Sequence, residues 1–311
     1  MSSSAASDEN SIRIICGPTA AGKSALAMAL ALSHGALIIS ADSRQIYRGF
    51  DIGTAKPPAP DRLLVPHRGI DVADPMERYS AARWGNEARG WIGESAALQR
   101  TPLVVGGTGF YLRALEAPLF ESPPLDPDRR AALERLFART STDDLRRWCA
   151  RLDPERAHLG RVQLARSVET AVLTGERLSD LHRTRARAPT IKARYLVVDP
   201  GASLAGRIEA RFDAMIAAGW EDEVRGLARS VDPSAPAWKA SGYRVVRDLA
   251  DGRLTASAAR EQVIIETRQY AKRQRTWFRH QLPAASTTRV NPADPNAEAI
   301  VTSWWEGRTT V

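Results

Sequence analysis

"GPTAAGKS", residues Gly17–Ser24, matches the pattern G-x-x-x-x-G-K-[ST]. The pattern decides the fold, because its chemistry needs a strand before it and a helix after it. Gly17 and Gly22 let backbone N–H groups turn inward onto phosphate oxygens, with Pro18, Thr19, Ala20 and Ala21 completing the cradle. A helix starting near Lys23 adds its positive dipole end. Lys23 neutralises charge, and Ser24 can reach a Mg²⁺ on the bound diphosphate. The flanks fit. "SIRIIC" before the loop is an apolar run of the buried-strand type, and "SALAMALALSHG" after it is a helix stopped by Gly35.

The same alternation continues outward. "ALIIS" and "TPLVVGG" read as short buried strands. "YSAARWGNEARGWIGESAALQR" reads as a helix, and "TGFYLRAL" as a helix start. Strands alternating with helices predict an α/β fold with a doubly wound parallel sheet. At "FESPPLDPD" the texture changes, since Pro123, Pro124 and Pro127 break regular structure. From Arg129 to His182 the pattern is wholly helical. "ARYLVVDP" then returns a strand, and "SLAGRIEARFDAMIAAGWEDEVRGLA" reads as one long helix. "TASAAREQVIIETRQYAKRQRTWFRHQ" is another, and a short strand at Arg289 and an amphipathic helix near Trp304 close the chain. The expected organisation is a leader over 1–11, a core over 12–121 and 195–311, and a helical insertion over 122–194.

Composition narrows the class. The chain has 311 residues, 43% hydrophobic and 26% charged, with no apolar run of membrane-spanning length. The start "MSSSAASDEN" is polar and carries no signal-peptide core, so a disordered leader is expected. Cys16 and Cys149 lie far apart and form no metal-type spacing, which fits a reducing cytoplasm. The net charge is +8, and residues 122–194 hold 16 Lys+Arg against 10 Asp+Glu, so they supply +6 of it. Nearly all of the cations are arginine, which forks onto phosphates and stacks on bases. A polyanionic partner such as nucleic acid is one account of that charge; a solvated surface is the other.

The loop sees only phosphate oxygens, so other residues must say which diphosphate it holds. A plain P-loop ATPase usually keeps an acid at the end of a neighbouring buried strand. Here that strand ends in "VVGGTG", without one. The other strand end carries "SADSRQIY", with Asp42 directly after the sheet. Strand ends beside the phosphate loop are where ligands meet in an open α/β sheet. Asp42 is therefore placed to act on whatever joins the diphosphate-bearing compound.

Six stretches occur in order: "GPTAAGKS", "ISADSRQIYRGFDIGTAKP", "VPHRGIDVADPMERYSAARW", "PLVVGGTGFYLRAL", "RIEARF" and "RQYAKRQRTWFRHQ". Together the chain resembles the tRNA dimethylallyltransferases (tRNA isopentenyltransferases), from about Ile12 to Gln281. The resemblance implies a P-loop-kinase-like parallel core with a helical, tRNA-binding insertion. It implies transfer of the dimethylallyl group of dimethylallyl diphosphate to N6 of adenosine 37, beside the tRNA anticodon. It also implies roles. Residues 17–24 would cradle the diphosphate, with Mg²⁺ on Ser24. Asp42 would be the general base, Thr108 would line the channel where the substrates meet, and Arg211 would hold the diphosphate from the far side. Ser43, Arg44 and Gln45 would contact the anticodon loop, with Gln45 reading the flanking adenine. Arg130, Gln163, Arg166, Lys239, Gly242, Tyr243, Arg244, Arg268, Gln269, Lys272, Arg273 and Gln274 would grip tRNA. Gln163 stands where an arginine is common in the family. His67 is expected to be structural.

The chemistry suits these types. An adenine amine is a poor nucleophile, because its lone pair is delocalised into the ring, so a carboxylate within hydrogen-bond reach is the right tool. An allylic carbon ionises easily once its leaving diphosphate is neutralised. The adenosine must leave its stack to be reached. In the late helix, Arg268, Lys272, Arg275 and Arg279 follow spacings of 4, 3 and 4 and form one basic face, with Tyr270, Trp277 and Phe278 opposite. Three other classes compete: a P-loop kinase, an isopentenyltransferase acting on free adenine nucleotides, and a non-enzymatic RNA-binding module. The first lacks its acid, the second has no use for the basic insertion, and the third has none for Lys23, Asp42 and Arg211 together. A monomer is expected, the exposed-looking Trp304 and Trp305 being the only contrary hint.

Overall fold

A computed structural model of the chain describes residues 11–117, 125–184 and 191–308. Pro123, Pro124 and the leader apart from Ser11 lie outside the described residues. Six strands form one all-parallel sheet: β1 (Ile12–Cys16), β2 (Ala36–Ser40), β3 (His67–Arg68), β4 (Thr101–Gly106), β5 (Ala193–Val198) and β6 (Thr287–Val290). Their order is β3-β2-β4-β1-β5-β6, so β1 is flanked by β4 and β5. Ile14 lies opposite Val104 and Tyr195, which sets that register.

The core helices are α1 (Lys23–His34), α2 (Ala59–Leu64), α3 (Ala81–Ala97) and α4 (Gly109–Glu116) before the insertion. The insertion holds α5 (Pro127–Arg139), α6 (Thr142–Leu152), α7 (Arg161–Thr174) and α8 (Leu178–Thr184). The core resumes with α9 (Leu204–Ala217), α10 (Trp220–Ser230), α11 (Tyr243–Ala250), α12 (Ala256–Gln281) and α13 (Ala297–Glu306).

Strand side chains alternate between faces, so the sheet builds two cores. One face gathers Ile14, Cys16, Leu37, Ile39, Val104 and Tyr195 with Trp84, Trp220, Tyr243 and Phe278. The other gathers Ile15, Ile38, Leu103, Val105 and Leu196 with Leu30, Trp304 and Trp305. Strands covered on both faces read as continuous apolar runs, which is why they were legible. Trp304 and Trp305 are only 3% and 7% exposed. His34 stacks on Trp305, and the Arg13 guanidinium lies 4.7 Å over its ring. They seal the chain's own core, so the hint of an interface is withdrawn. Cys16 and Cys149 are buried free thiols.

Four boundaries differ from expectation. The single helix expected over 203–228 is two, because Gly219 takes φ 91° after α9 and α10 restarts at Trp220. Glu221, Asp222 and Glu223 then fill the first turn of α10, where carboxylates suit the positive helix end. Pro127 begins α5 rather than breaking structure, with Asp126 accepting from the Arg129 N–H. Ala193 and Arg194, counted with the insertion, belong to the sheet. Arg194 Nε donates to Ser11 Oγ at 2.9 Å, so Ser11 is buried sheet support rather than leader.

The chain divides into two compact units, Met1–Glu116 with Thr190–Val311, and Ala117–Pro189. The second is helical throughout its described residues, around a small core of Phe137, Leu145, Cys149, Leu164 and Val168. Among the described residues no helix is long and apolar enough to cross a membrane.

Candidate active site

The glycine loop leaves β1 through Gly17 at φ 144°, where a Cβ would come within 2.2 Å of the Val198 carbonyl oxygen. Only glycine fits that close approach to β5. Gly22 takes φ 97° and Ala20 φ 62°, a left-handed position that costs a non-glycine residue about 1–3 kcal/mol. Strain of this kind persists where the surroundings fix a functional loop. Lys23 opens α1, and its Nζ donates to the Pro18 carbonyl at 2.7 Å. Burial, and then the charge of Arg211, bring the Lys23 ammonium down to about 8, against the opposing pull of Asp42.

A cavity of about 1190 Å³ opens over the loop. Its wall includes residues Thr19–Ser24, Asp42, Arg207, Arg211, Tyr270 and Gln274. Arg207 and Arg211 lie one turn apart on α9, so both point from one face of that helix. Arg207 reaches within 3.5 Å of the Ala21 carbonyl. Burial lowers the Arg211 guanidinium, and Asp42 supports its charge. Lys23, Arg207 and Arg211 thus bring three cations to one loop. A smaller cavity of about 70 Å³ adjoins, sharing Thr19, Asp42, Arg211, Met215 and Tyr270 with the first. Its wall mixes apolar residues (Ile208, Phe212, Trp220, Val263) with polar ones (Arg44, Ser241, Thr267).

Asp42 follows β2, and its Oδ1 accepts from the Arg44 N–H at 2.8 Å. That bond closes a local turn which aims the carboxylate. Thr108 holds the next residue: its Oγ1 accepts from the Ser43 N–H at 3.0 Å, and its own N–H donates to Ala41. The expected pair, Asp42 and Thr108, is therefore brought together with Lys23 and Arg211. Arg44 lines the smaller cavity. His67 lies against the Val65 carbonyl at 2.8 Å, and burial lowers its pKa, which suits the expected structural place.

Several expected tRNA contacts are occupied by the protein itself. The Gln45 amide donates to the Thr54 and Ala55 carbonyls and accepts from Ser40 Oγ, so it organises the 43–55 loop, and it also lines the large cavity. Tyr243 is fully buried, donates to Glu223 and packs on Phe50, Trp220 and Trp238. Gly242 is bare because a Cβ would strike Trp220 at 2.6 Å. Gln274 is 6% exposed and bonded at both ends of its amide. Arg268 pairs with Glu209, and Arg275, in the expected basic stripe, pairs with Asp199. In the insertion, Arg130 and Arg166 hold the two oxygens of the buried Glu169. Lys239, Arg244, Gln269, Lys272, Arg273 and Gln163 are exposed.

Arg207 and Tyr270 escaped the sequence assignment of the site. Arg207 was legible as the i−4 partner of Arg211. Tyr270 was visible only as one of three aromatics of the late helix, and nothing in its spacing says that it faces Asp42. The acid at the end of β5, Asp199, was also passed over; it is held by Arg275 and by the Gly201 N–H.

Comparison with known proteins agrees with this geometry. The IPP transferase family model matches residues 45–281, and an isopentenyl transferase model matches residues 10–67. The tRNA dimethylallyltransferase of Alkalilimnicola ehrlichii is 43% identical over 278 residues, covering 87% of this chain and 88% of its own. That of Burkholderia ambifaria is 39% identical over 314 residues, covering 97% of each. Among solved structures, the full-length tRNA isopentenylpyrophosphate transferase of Bacillus halodurans superposes with a TM-score of 0.66 at 31% identity, covering 96% of this chain and 95% of that one. A eukaryotic dimethylallyltransferase solved acting on tRNA superposes with a TM-score of 0.76 at 22% identity, over 96% of this chain and 80% of that one, a likeness of fold.

Proposed function

The chain belongs to the IPP transferase family, the tRNA dimethylallyltransferases, and we propose that it moves the dimethylallyl group of dimethylallyl diphosphate onto N6 of adenosine 37 in tRNA. One observation carries this: a phosphate-binding loop ringed by Lys23, Arg207 and Arg211 shares a cavity with the carboxylate of Asp42. The cations suit a leaving diphosphate, and the carboxylate suits an amine that must lose a proton.

In the proposed reaction the bond between C1 of the allyl group and the diphosphate oxygen breaks, and both electrons leave with the diphosphate. Loop N–H groups, Lys23, Arg207 and Arg211 receive that charge. A bond forms between C1 and adenosine N6, and the N6 proton passes to Asp42. Thr108 acts by fixing Ser43 and so the turn that aims Asp42. Tyr270 walls both cavities and helps to exclude water. The small cavity's apolar side, Ile208, Phe212, Met215, Trp220 and Val263, suits the allyl tail, with Asp42 and Arg211 on its polar side.

Among the described residues no group of three His, Cys, Asp or Glu side chains could hold a metal ion. The protein would give Mg²⁺ the single hydroxyl of Ser24, exposed in the first turn of α1, with diphosphate oxygens and water completing the shell. Such an ion supplies additional neutralisation of the leaving group. The exposed cations Lys239, Arg244, Lys272 and Arg273 are proposed to meet the phosphates of the anticodon stem-loop. The enzyme would work in the cytoplasm as a monomer, Trp304 and Trp305 being turned into its own core.

The test compares two synthetic anticodon stem-loops, one with adenosine and one with guanosine at position 37. N6-isopentenyladenosine should appear in nuclease digests of the first alone. Equal labelling of both would refute the proposed acceptor.

A further inference from the structure

Taking the loop as the donor's diphosphate site, as proposed above, we infer that Gln274 is a positioning residue that locks the loop to the helix bearing the exposed cations. Its side chain accepts from the Thr19 N–H at 2.8 Å and donates to the Gly107 carbonyl at 2.9 Å. Both partners are main-chain groups. One belongs to the glycine loop after β1 and the other to the turn after β4, the adjacent strand. A planar carboxamide, donor at one end and acceptor at the other, fixes the gap between those two backbones. The shape of the phosphate cradle is thereby set from α12.

The bare turn "GGTG" after β4 now has a reason. A Cβ on Gly107 would lie 2.3 Å from Gln274 Nε2, and one on Gly109 would lie 2.3 Å from the Trp277 ring. Where an ordinary P-loop ATPase keeps an acid, this chain seats α12. Tyr270, one turn before Gln274, stands beside Thr108, which holds Ser43 and the Asp42 turn. A single helical face therefore contacts the diphosphate loop, the turn after β4 and the support of Asp42. Lys272 and Arg273, immediately before Gln274, are exposed on the same rigid element. Anion binding on the outside of α12 and diphosphate binding beneath it share one mechanical part. Coupling between two such sites is reciprocal; both ligands favour the same locked arrangement of loop and α12, so each tightens the other.

Three variants test this: Gln274→Met, which keeps bulk and loses both bonds, Gln274→Ala, and Gln274→Glu. Inorganic diphosphate and unmodified tRNA are the probes, titrated by calorimetry separately and together. Leaving the buried Gly107 carbonyl and the half-buried Thr19 N–H without their partner should weaken diphosphate binding by roughly 10- to 100-fold in Gln274→Met. The tRNA affinity of the variant alone should stay within about twofold of the parent, and the mutual tightening should vanish. Gln274→Glu gives a signature that a merely structural residue would not. A protonated carboxyl can accept from Thr19 and donate to Gly107, whereas a carboxylate repels that carbonyl. Its single-turnover rate relative to the parent should therefore climb as pH falls: burial and the Asp42 carboxylate favour the protonated form, against the pull of Lys23, Arg207 and Arg211 on the same cavity. If Gln274→Met and Gln274→Ala do not fold, the pH profile of Gln274→Glu decides alone. Unchanged diphosphate affinity, or a flat rate ratio in Gln274→Glu, overturns the inference. Weakened tRNA binding with intact diphosphate binding does so too, and makes Gln274 a tRNA contact. Failure of the parent to prenylate would count against the proposed function while leaving the diphosphate titrations readable.

Discussion

Lys23 Nζ donates to the Pro18 carbonyl oxygen at 2.7 Å, so the lysine of the glycine loop is folded back onto the loop's own backbone. Burial and Arg211 bring its pKa down to about 8 from an ordinary value of 10.5. An arriving diphosphate restores the favoured charge and raises that pKa. Below pH 8 the lysine is already protonated and binding takes up no proton. Between about pH 8 and 10 binding should draw in up to one proton, and affinity should fall as pH rises. Calorimetry of diphosphate binding in buffers of different ionisation enthalpy reads this directly; no proton uptake at pH 9 would contradict it. The linked effect on folding has the opposite sense. A folded pKa below the unfolded one means that the charged lysine costs stability below pH 8, a cost relieved as pH rises from 8 towards 10.5.

Asp42→Asn keeps an oxygen for the Arg44 N–H and removes the capacity to take a proton. Its single-turnover rate should fall by about 10²–10⁴-fold with tRNA affinity unchanged. Near-parental rates would remove Asp42 from the role of base.

How much of this site the sequence carried depends on what each residue needs. Gly17 to Ser24 was legible because the loop's chemistry is local: backbone, one lysine, one hydroxyl and the start of a helix. Asp42 followed from its place after a strand. Gln45, Tyr243 and Gln274 were not legible, because a polar residue within a family motif looks alike whether it faces a nucleic acid or braces a loop. Only the fold shows that Gln274 meets Thr19, 255 positions earlier in the chain. The break at Gly219 was hidden by helix-forming neighbours on both sides, with only a glycine's left-handed turn to mark it. Trp304 and Trp305 look exposed in the sequence because their cover comes from distant segments: His34 and Arg13 lie against Trp305, and Arg194 bonds the Trp304 carbonyl.

On α12, Lys272, Arg273 and Arg279 are exposed and form no ion pair among the described residues, whereas Arg268 and Arg275 are paired. Neutralising any of the first three should lower the salt slope of tRNA binding by up to about 1. Arg275→Ala should leave the slope unchanged and lower the melting temperature instead, because Asp199 loses its partner. An equal fall in slope at all five positions would restore the unbroken basic stripe.

Gly17→Ala places a methyl against the Val198 carbonyl at a backbone angle hostile to a side chain. The expected loss is about 3 kcal/mol or more of folding stability, measured by denaturant unfolding. A parental midpoint would mean that the loop has a second, relaxed path out of β1.

The proposed function requires this glycine loop to serve an allylic diphosphate and not ATP. The decisive measurement supplies Mg²⁺, unmodified tRNA with adenosines at positions 36 and 37, and either labelled dimethylallyl diphosphate or labelled ATP. Label should enter N6-isopentenyladenosine from the allylic donor alone, with diphosphate released, and Lys23→Ala should nearly abolish it. Phosphate transfer from ATP to any acceptor, without a prenylated nucleoside, would refute the proposed donor and make the protein a kinase.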